Sequence, residues 1–519
     1  MLAQEFDRIA TPGIDWAALA PLLILIGGAM LLLVVDALSL RKLRPGMYAS
    51  YTVLVASASI AWSIALWQEV RDPAQGPFAI LSGALGIDAF AVFFFVVLGA
   101  AVILAALLSD GYARREDIEG PELYVLMMLS ASGGMVMASA DDLIVTFLGL
   151  EILSLAVYIL AAIHRRRIQS QEAGLKYFVL GAFSSAFFLY GIALVYGATG
   201  TTRLAGIAEF GGTLGDSVTP DDLLGGSASP ALLLAGIALL LVGFGFKVAA
   251  VPFHSWTPDV YQGSPSPVVA FMASAVKAAG FAGLLRVMLV GFGDRAPDWQ
   301  PFVAALAVAT LLVGAVLAVV QTDVKRLLAY SSITHAGFVL LGLQAATDRG
   351  TSAALFYLAC YTFMVAGSFG VVTVVSRTGD DATSVDDFRG LARRRPALAL
   401  TFALFLLAQL GAPFTSGFVA KVQVLSAAAD AGSYWLALVA MVSAVIAAYL
   451  YLKVIVAMYM SSEEASAGAR AGAGRSKAPT AAVVSLAIAA AVTLLLGFLP
   501  GLLDDLSDGA TPVAAPVDN

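Results

Sequence analysis

Four ionisable side chains, Glu151, Lys247, Lys277 and Lys421, lie deep inside long apolar stretches of the sequence. A charge at the centre of a bilayer costs at least about 2.5–3.5 kcal/mol, so such residues persist where they are paired or where they do chemistry. One carboxylate cannot neutralise three ammonium groups. We therefore expect these side chains to exchange protons, and ion pairs that hold helices together are the structural alternative.

Two histidines add to this set. His335 lies in an apolar run, and a histidine there can exchange protons near neutral pH; the alternative is a hydrogen-bonded core residue. His254 closely follows Pro252, where it could either cap freed backbone groups or transfer protons. The three histidines are too scattered for a metal cage. The single cysteine, Cys360, excludes disulfide, cysteine-zinc and iron–sulfur sites built from this chain alone.

The elements that carry these residues are apolar segments. The chain has 519 residues, of which 60% are hydrophobic and 13% are charged, whereas a soluble domain carries roughly 25% charged residues. A helix needs about 20 apolar residues to cross a bilayer. Fourteen such spans occur, which predicts an all-α polytopic membrane protein: spans 1 to 14 lie near 16–38, 47–67, 87–109, 121–139, 142–163, 174–197, 230–261, 265–292, 300–321, 326–345, 351–376, 398–428, 433–460 and 478–504. The sequence lacks nucleotide-binding loops and a basic patch for nucleic acid.

Spans 7 and 12 are interrupted. Pro252 lies in the middle of span 7, and Gly411, Pro413 and Gly417 lie at the centre of span 12. Proline removes a backbone donor and breaks a helix. Broken helices at membrane depth are tolerated where protein or water satisfies the backbone, and in pairs they indicate a transport site.

The two breaks also predict an internal repeat. VPF in span 7 and APF in span 12 lie five spans apart, so spans 4 to 8 and 9 to 13 would form two inverted five-helix repeats. Lys247 and Lys421 would lie on opposite arms of their broken helices, and His335 roughly where Glu151 lies. The expected domains are three N-terminal spans in 1–120, repeats in 121–292 and 293–460, and a linker, last span and acidic tail in 461–519.

Basic residues are concentrated in alternate loops. Because cytoplasmic loops are rich in Lys and Arg, this pattern predicts a multi-pass protein with both termini outside. The N-terminus lacks the basic segment of a cleaved signal, so span 1 is expected to stay as an anchor. We expect 198–229 to be an outer loop and 461–477 a flexible inner linker. Three further basic residues near the ends of spans are expected to extend to the membrane surface: Lys176, Arg286 and Lys453.

Two long motifs support a resemblance to a known family. FKVAAVPFHSWTPDVYQGSPSPVVAFMASAVKAAGFAGLLR at 246–286 and QTDVKRLLAYSSITHAGF at 321–338 resemble the antiporter-like membrane subunits of respiratory complex I. The resemblance extends from IDAFAVFF in span 3 to the broken span 12. WTPDVYQG resembles the N-type members; M and L types typically carry glutamate where this chain has Lys421, and the L type adds a long lateral helix.

The resemblance implies roles for the buried residues. Glu151 resembles a glutamate that pairs with a lysine, here Lys247. Lys277 resembles a lysine that passes protons along the membrane axis, and His335 matches the family's histidine on the tenth span. Lys421 resembles the terminal relay group near the exit side. The remaining candidates, in supporting roles, are His254, Pro252, Pro413 and Lys176.

The resemblance also implies a proton-pumping subunit of a bacterial inner-membrane NADH:quinone oxidoreductase. Its neighbours would be M-, K- and J-type membrane subunits and, through them, the peripheral redox arm. NADH, FMN, iron–sulfur clusters and quinone would bind other subunits, and none this chain. An Mrp-type cation/proton antiporter subunit, a membrane hydrogenase subunit and a scaffold with a vestigial relay are the competing interpretations.

Overall fold

The computed structural model describes residues 14–514 except 40–43, 45, 73, 75, 214–229, 377 and 461–477. Several predictions therefore lie outside the described residues. These are the inner linker at 461–477, the second half of the outer loop expected at 198–229, the N-terminal segment at 1–13, the last residues of the acidic tail, and the basic residues Arg41, Lys42 and Arg377.

The first three spans form helices close to their predicted positions. Asp15 and Asp88 cap the first and third of them, because each carboxylate accepts hydrogen bonds from backbone N–H groups of the first turn. The elements are α1 (Trp16–Leu38), α2 (Met47–Val70), a two-stranded antiparallel hairpin of β1 (Phe78–Ile80) and β2 (Leu85–Ile87), and α3 (Ala89–Glu116).

The next group contains the first interruption. Its helices are α4 (Glu122–Ser139), α5 (Leu143–Ala161), α6 (Ile168–Thr199), α7 (Leu204–Thr213), α8 (Pro230–Val248), α9 (Trp256–Gly263), α10 (Ser266–Phe271) and α11 (Lys277–Arg286). Span 7 is α8 and α9, and span 8 is α10 and α11 joined by the π-helical turn Met272–Val276 and followed by another at Val287–Gly291. The expectation of a loop at 198–229 was wrong for α7, whose Leu204 and Ile207 are buried; this apolar face is too short to stand out in the sequence.

The last group contains the second interruption. Its helices are α12 (Ala296–Val319), α13 (Val324–Ala345), α14 (Asp348–Val375), α15 (Leu391–Arg394), α16 (Pro396–Leu410), α17 (Ser416–Asp430), α18 (Tyr434–Met460), α19 (Thr480–Phe498) and α20 (Gly501–Asp508). In the described residues, 13 helices are long and apolar enough to cross a membrane. The remaining predicted span, span 12, is divided between α16 and α17. The all-α polytopic fold is therefore confirmed.

The two ends of the bundle are fixed by different clusters of charge. At one end, which we call the basic end, Arg115, Arg167 and Lys325 surround Asp380. These residues come from α3, the start of α6, α13 and the segment after α14. They meet only if the helices alternate in direction as the sequence predicts.

The opposite end contains a buried arginine. Arg286 is 0% exposed and donates to Asp88 at 2.5 Å, to Asp141 at 2.8 Å and to the carbonyl of Ala138 at 2.7 Å. The expectation that Arg286 extends to the membrane surface was wrong. Two carboxylates from other segments bind its guanidinium group inside the protein, and the backbone N–H of Val513 also donates to Asp88.

The same capping arrangement occurs twice, once at each end. Asp142 caps α5 and accepts a hydrogen bond from Thr202 at 2.6 Å, and Asp323 caps α13 and accepts one from Thr383 at 2.5 Å. In both cases the aspartate and the threonine are 60 residues apart and a short antiparallel bridge forms beside them. This likeness is what two inverted repeats with corresponding fifth and tenth spans would produce.

Candidate functional site

The first broken helix places backbone at membrane depth. Residues 249–255, which include Pro252, separate α8 from α9, and the N–H of Val251 donates to Thr310 Oγ1 at 2.9 Å. Such partners are required where water is excluded. His254 lies in the same interruption and is half-buried; its Nδ1 atom has no hydrogen-bond partner among the described residues.

Lys247 and Glu151 each have a serine as hydrogen-bond partner. Lys247, 3% exposed at the end of α8, donates to Ser154 Oγ at 2.8 Å, and its Nζ atom lies 5.7 Å from the centre of the Tyr177 ring. Glu151 is one turn before Ser154 on α5 and accepts a hydrogen bond from Ser185 of α6. In the part of the chain that the structure describes, Glu151 and Lys247 form no direct ion pair, and the pairing that the resemblance implies stays a prediction.

Lys277 lies on span 8 beside this group. Its ammonium group donates to the carbonyl oxygen of Ser332 on α13 at 2.6 Å, and the side chain is 3% exposed. Gly280, less than one turn later, faces Lys247, because a Cβ atom there would lie 3.1 Å from Lys247 Cγ. The π-helical turn Met272–Val276 directly precedes Lys277, and such turns are frequent at functional sites.

His335 is the centre of a hydrogen-bond network on α13. It is 2% exposed, and its ring nitrogens lie 2.6 Å from the hydroxyl of Tyr357 and 3.1 Å from that of Tyr451. The Tyr451 hydroxyl lies 2.6 Å from Ser331 Oγ, which donates to Gln409 Oε1 at 3.2 Å. Each ring nitrogen therefore has a hydroxyl partner that can act as donor or acceptor.

Lys421 closes the second break. Its ammonium group donates to the carbonyl oxygens of Gln409 and Leu410, at 2.9 Å and 2.8 Å, which α16 leaves free where it ends. Gly411 follows with a φ of +93°, and a Cβ atom there would lie 3.0 Å from Lys421 Cδ. Pro413 lies between the two arms. Lys421 is thus both a buried cation and the cap of a half-helix.

We call these residues together the polar network: Lys277, Ser332, His335, Tyr451, Ser331, Gln409 and Lys421. The side chains from His335 to Gln409 form a continuous hydrogen-bonded chain, and the two lysines bind the backbone carbonyls of Ser332 and Gln409. All its members are buried, and they lie well inside the spans. Lys247 packs beside it through Gly280. Lys176 is elsewhere, near the basic end, where its ammonium group pairs with Glu172 and Asp259 and its side chain is 42% exposed.

Several members of the site were missed in the sequence. Ser154, Ser331, Gln409 and Tyr451 are uncharged and lie in apolar runs where such residues are common. A usable signal exists for Ser331, because it precedes His335 by four residues and therefore shares its helix face. For Tyr451 the contact depends on how α18 packs against α13, which no local pattern contains.

The described residues contain no group of three or more His, Cys, Asp or Glu that could hold a metal ion. Cys360, in α14, is buried. What the site offers is a series of amines, an imidazole and hydroxyls within or near hydrogen-bond distance. Such groups can accept and release protons in sequence.

Comparison with known proteins places this arrangement in a family. Residues 140–447 match the family model described as "NADH:quinone oxidoreductase/Mrp antiporter, TM". NADH-quinone oxidoreductase subunit N of Trichlorobacter lovleyi is 46% identical over 383 residues, which cover 74% of this chain and 76% of the relative. A chain of respiratory complex I from Thermus thermophilus superposes with a TM-score of 0.75 at 34% identity, over 94% of this chain and 100% of the other.

A chain of the Mrp complex from Dietzia superposes with a TM-score of 0.78 over 96% of each chain. Its identity is 21%, so it shows the fold alone. The family match covers more than half of the sequence, and the subunit N relative leads independently to the same conclusion. This chain belongs to the NADH:quinone oxidoreductase/Mrp antiporter transmembrane family.

Proposed function

We propose that this chain is the N-type membrane subunit of an NADH:quinone oxidoreductase and that it translocates protons. The observation that carries the proposal is the polar network. In it the side chains of His335, Tyr451, Ser331 and Gln409 form a buried hydrogen-bonded chain. Lys277 and Lys421 bind the backbone carbonyls of Ser332 and Gln409 beside this chain. A charged group at this depth is costly, and here three lysines are held by neutral oxygen atoms. Their protonation can therefore change without breaking an ion pair.

Each candidate residue has a distinct role in this proposal. Lys277 loads a proton, His335 passes it between Tyr357 and Tyr451, and Lys421 releases it. Glu151 controls Lys247 through the electric field between them, because moving a carboxylate relative to an amine changes the pKa of both. Pro252 and Pro413 keep the breaks open, and His254 and Lys176 support the site at the first break and at the basic end.

The energy comes from redox chemistry elsewhere. NADH, FMN, iron–sulfur clusters and quinone are bound by other subunits, and the described residues hold no redox centre. Charge movement during quinone reduction reaches this chain through its M-, K- and J-type neighbours in the membrane. Its role in the enzyme is therefore to pump.

We further propose a bacterial inner-membrane location with the basic end inside and both termini outside. The repeats would span 121–292 and 293–460, after three helices in 1–120 and before the linker, last span and tail in 461–519. Topology can be tested with cysteines at Asp117, whose side chain is 81% exposed at the basic end, and at Glu209 on α7. A membrane-impermeant maleimide should label Glu209→Cys from outside and Asp117→Cys only after the membrane is opened.

The central experiment is Lys277→Met in the assembled complex, reconstituted into liposomes and driven by NADH. We expect loss of most of the protons pumped per electron by this subunit, because methionine matches the lysine stem but carries no proton. Lys453→Met is the matched control: Lys453 binds the carbonyls of Val319 and Gln321 outside the polar network.

Unchanged pumping by an assembled Lys277→Met complex would refute the proton relay and favour the interpretation of the chain as a scaffold subunit. Purification of the tagged chain distinguishes the oxidoreductase from an antiporter and from a hydrogenase. Sodium-dependent proton exchange without NADH oxidation would identify an Mrp-type antiporter subunit, and a hydrogenase activity would identify a membrane hydrogenase subunit.

A further inference from the structure

A cavity of about 500 Å³ opens at the basic end. Its wall contains six carboxylates and two basic side chains. The carboxylates are Glu172, Asp259, Asp323, Asp380, Asp381 and Asp387, and the basic residues are Arg167 and Lys176. An excess of negative charge in a concave surface raises the local concentration of cations, including protons.

The floor of the cavity is closed by a buried ion pair. The Nζ atom of Lys325 lies 3.1 Å from Asp380 Oδ2. Lys325 is 1% exposed, and the side chain of Asp380 is fully buried. Lys325 also donates to the carbonyl oxygen of Ser264 at 2.6 Å. This contact joins the pair to the segment that leads directly into span 8.

Beyond the pair, polar groups continue toward Lys277. Ser332 lies two turns after Lys325 on the same face of α13, about 10 Å along the helix axis, and its carbonyl accepts from Lys277. The hydroxyls of Ser264 and Thr257 are fully buried and have no hydrogen-bond partner among the described residues. Buried polar groups of this kind are commonly satisfied by water.

We propose that this cavity is the mouth through which protons reach Lys277 from the inner side, and that the Lys325–Asp380 pair is the proton-carrying gate between them. The inference rests on the proposed function, since it assumes that Lys277 loads protons. It assigns a task to an ion pair and a cavity that lie outside the polar network.

The transfer is balanced in two steps. Lys325 first passes one proton through the buried hydroxyls to an unprotonated Lys277 and becomes a neutral amine. Asp380 then accepts a proton from the cavity and hands it to Lys325. One proton has moved from the cavity to Lys277, and both gate groups have returned to their starting states.

The surroundings of Asp380 fit this order. Burial alone raises the pKa of the Asp380 carboxyl, but the nearby charges of Lys325, Arg167 and Arg115 outweigh it and hold that pKa below its ordinary value. Once Lys325 is neutral, the largest of these opposing charges is gone. Asp380 then becomes easier to protonate, so uptake from the cavity follows delivery to Lys277.

The competing explanation is that the pair only holds neighbouring segments together, which we call a structural pin. Asp380 also accepts hydrogen bonds from the backbone N–H of Ser266 at 3.0 Å and from the hydroxyls of Ser266 and Ser376. Lys325→Arg separates the two. Arginine keeps the charge and the ion pair but does not release its proton under physiological conditions. A pin would tolerate the change, whereas a gate that carries protons would not.

The experiment uses the assembled complex in liposomes, with NADH-driven proton pumping per electron as the readout. We expect Lys325→Arg to reduce pumping at least fivefold with normal assembly, and Lys453→Arg, at the same end but outside the cavity, to leave it unchanged. Normal pumping by Lys325→Arg would contradict the proposal that the Lys325–Asp380 pair carries protons. If Lys277→Met abolishes pumping in the same preparation, the proposed function stands and only the gate fails.

A second variant avoids the buried pair in case Lys325→Arg does not assemble. Glu172→Gln with Asp381→Asn removes two exposed charges at the mouth. We expect pumping to fall two- to threefold at pH 8, where protons are scarce, and to be unchanged at pH 6.5. Glu209→Gln with Asp348→Asn removes two exposed charges at the opposite end and should leave pumping unchanged at both pH values. Equal pH profiles for the two double variants would contradict the proposal that the cavity is the proton entrance.

Discussion

Lys247 donates a hydrogen bond to Ser154 over 2.8 Å, and Ser154 lies one turn after Glu151 on the same helix. The Ser154 hydroxyl donates to the carbonyl of Leu150, and Glu151 accepts from Ser185, so in the described residues no hydrogen bond joins the amine to the carboxylate. A hydroxyl can donate to one neighbour while it accepts from another. A change in the charge of Glu151 can reach Lys247 without direct contact between them.

Ser154→Ala should remove the oxygen atom that binds the Lys247 amine. A hydrogen bond to a charged group contributes about 1.5–3 kcal/mol, so we expect NADH-driven pumping to fall by about tenfold while the complex assembles. Ser130→Ala is the matched control, because Ser130 is equally buried and donates to the carbonyl of Leu153 outside the lysine site. Equal pumping by the two variants would argue against a role for the Ser154 hydroxyl at Lys247.

Tyr451→Phe tests the polar network between His335 and Gln409. The variant removes the hydroxyl that joins His335 to Ser331 and preserves the ring. We expect a several-fold loss of pumping with little loss of stability. Tyr112→Phe removes another buried hydroxyl, one that has no hydrogen-bond partner in the described residues, and should pump normally. Proton pumping per electron in liposomes measures both, and normal pumping by Tyr451→Phe would exclude this route.

Gly411→Ala tests the second break. The φ of +93° costs a residue with a Cβ atom about 1–2 kcal/mol, and the added atom would press on Lys421. We therefore expect less assembled complex on native gels and slower pumping by the fraction that assembles. Gly27→Ala is the control, because a Cβ atom at Gly27 meets nothing within 4 Å. Wild-type behaviour of Gly411→Ala would show that the break tolerates a different backbone.

Arg286→Met should be the most damaging single change at the end opposite the basic end. It leaves Asp88 and Asp141 buried without their cation, a loss of about 3–5 kcal/mol. We expect little assembled complex at the growth temperature. Arg349→Gln breaks an exposed pair with Asp430, and such pairs contribute about 0–1 kcal/mol. Thermal stability of the detergent-solubilised complex compares the two variants.

The sequence predicted the elements well because a membrane span is a local property. Twenty apolar residues are visible without knowledge of neighbours, and the breaks at Pro252 and Gly411 follow from backbone chemistry. The basic clusters gave the alternation of the helices, and contacts such as that between Arg167 and Asp380 agree with it.

The partners of the charged residues could not be predicted. Arg286 was expected at the membrane surface because its distance from the end of span 8 was the only information available, whereas its two aspartates come from segments far away in the sequence. The serine partners of Lys247 and Glu151, Ser154 and Ser185, were likewise not visible in the sequence. His335 was expected at roughly the position of Glu151, but it lies about one helical turn further along. Counted from the capping aspartates Asp142 and Asp323, His335 corresponds to Ser154, and Ser332 corresponds to Glu151.

The duplicated caps at Asp142 and Asp323 bear on how transport acquires a direction. If the two halves are inverted repeats, as these caps would fit, the backbone as a whole gives no preferred direction of transport. A vectorial pump then depends on positions where the halves differ, such as Ser154 and His335. The direction of proton movement would then be determined by a few side chains that differ between the halves and by the adjacent subunits.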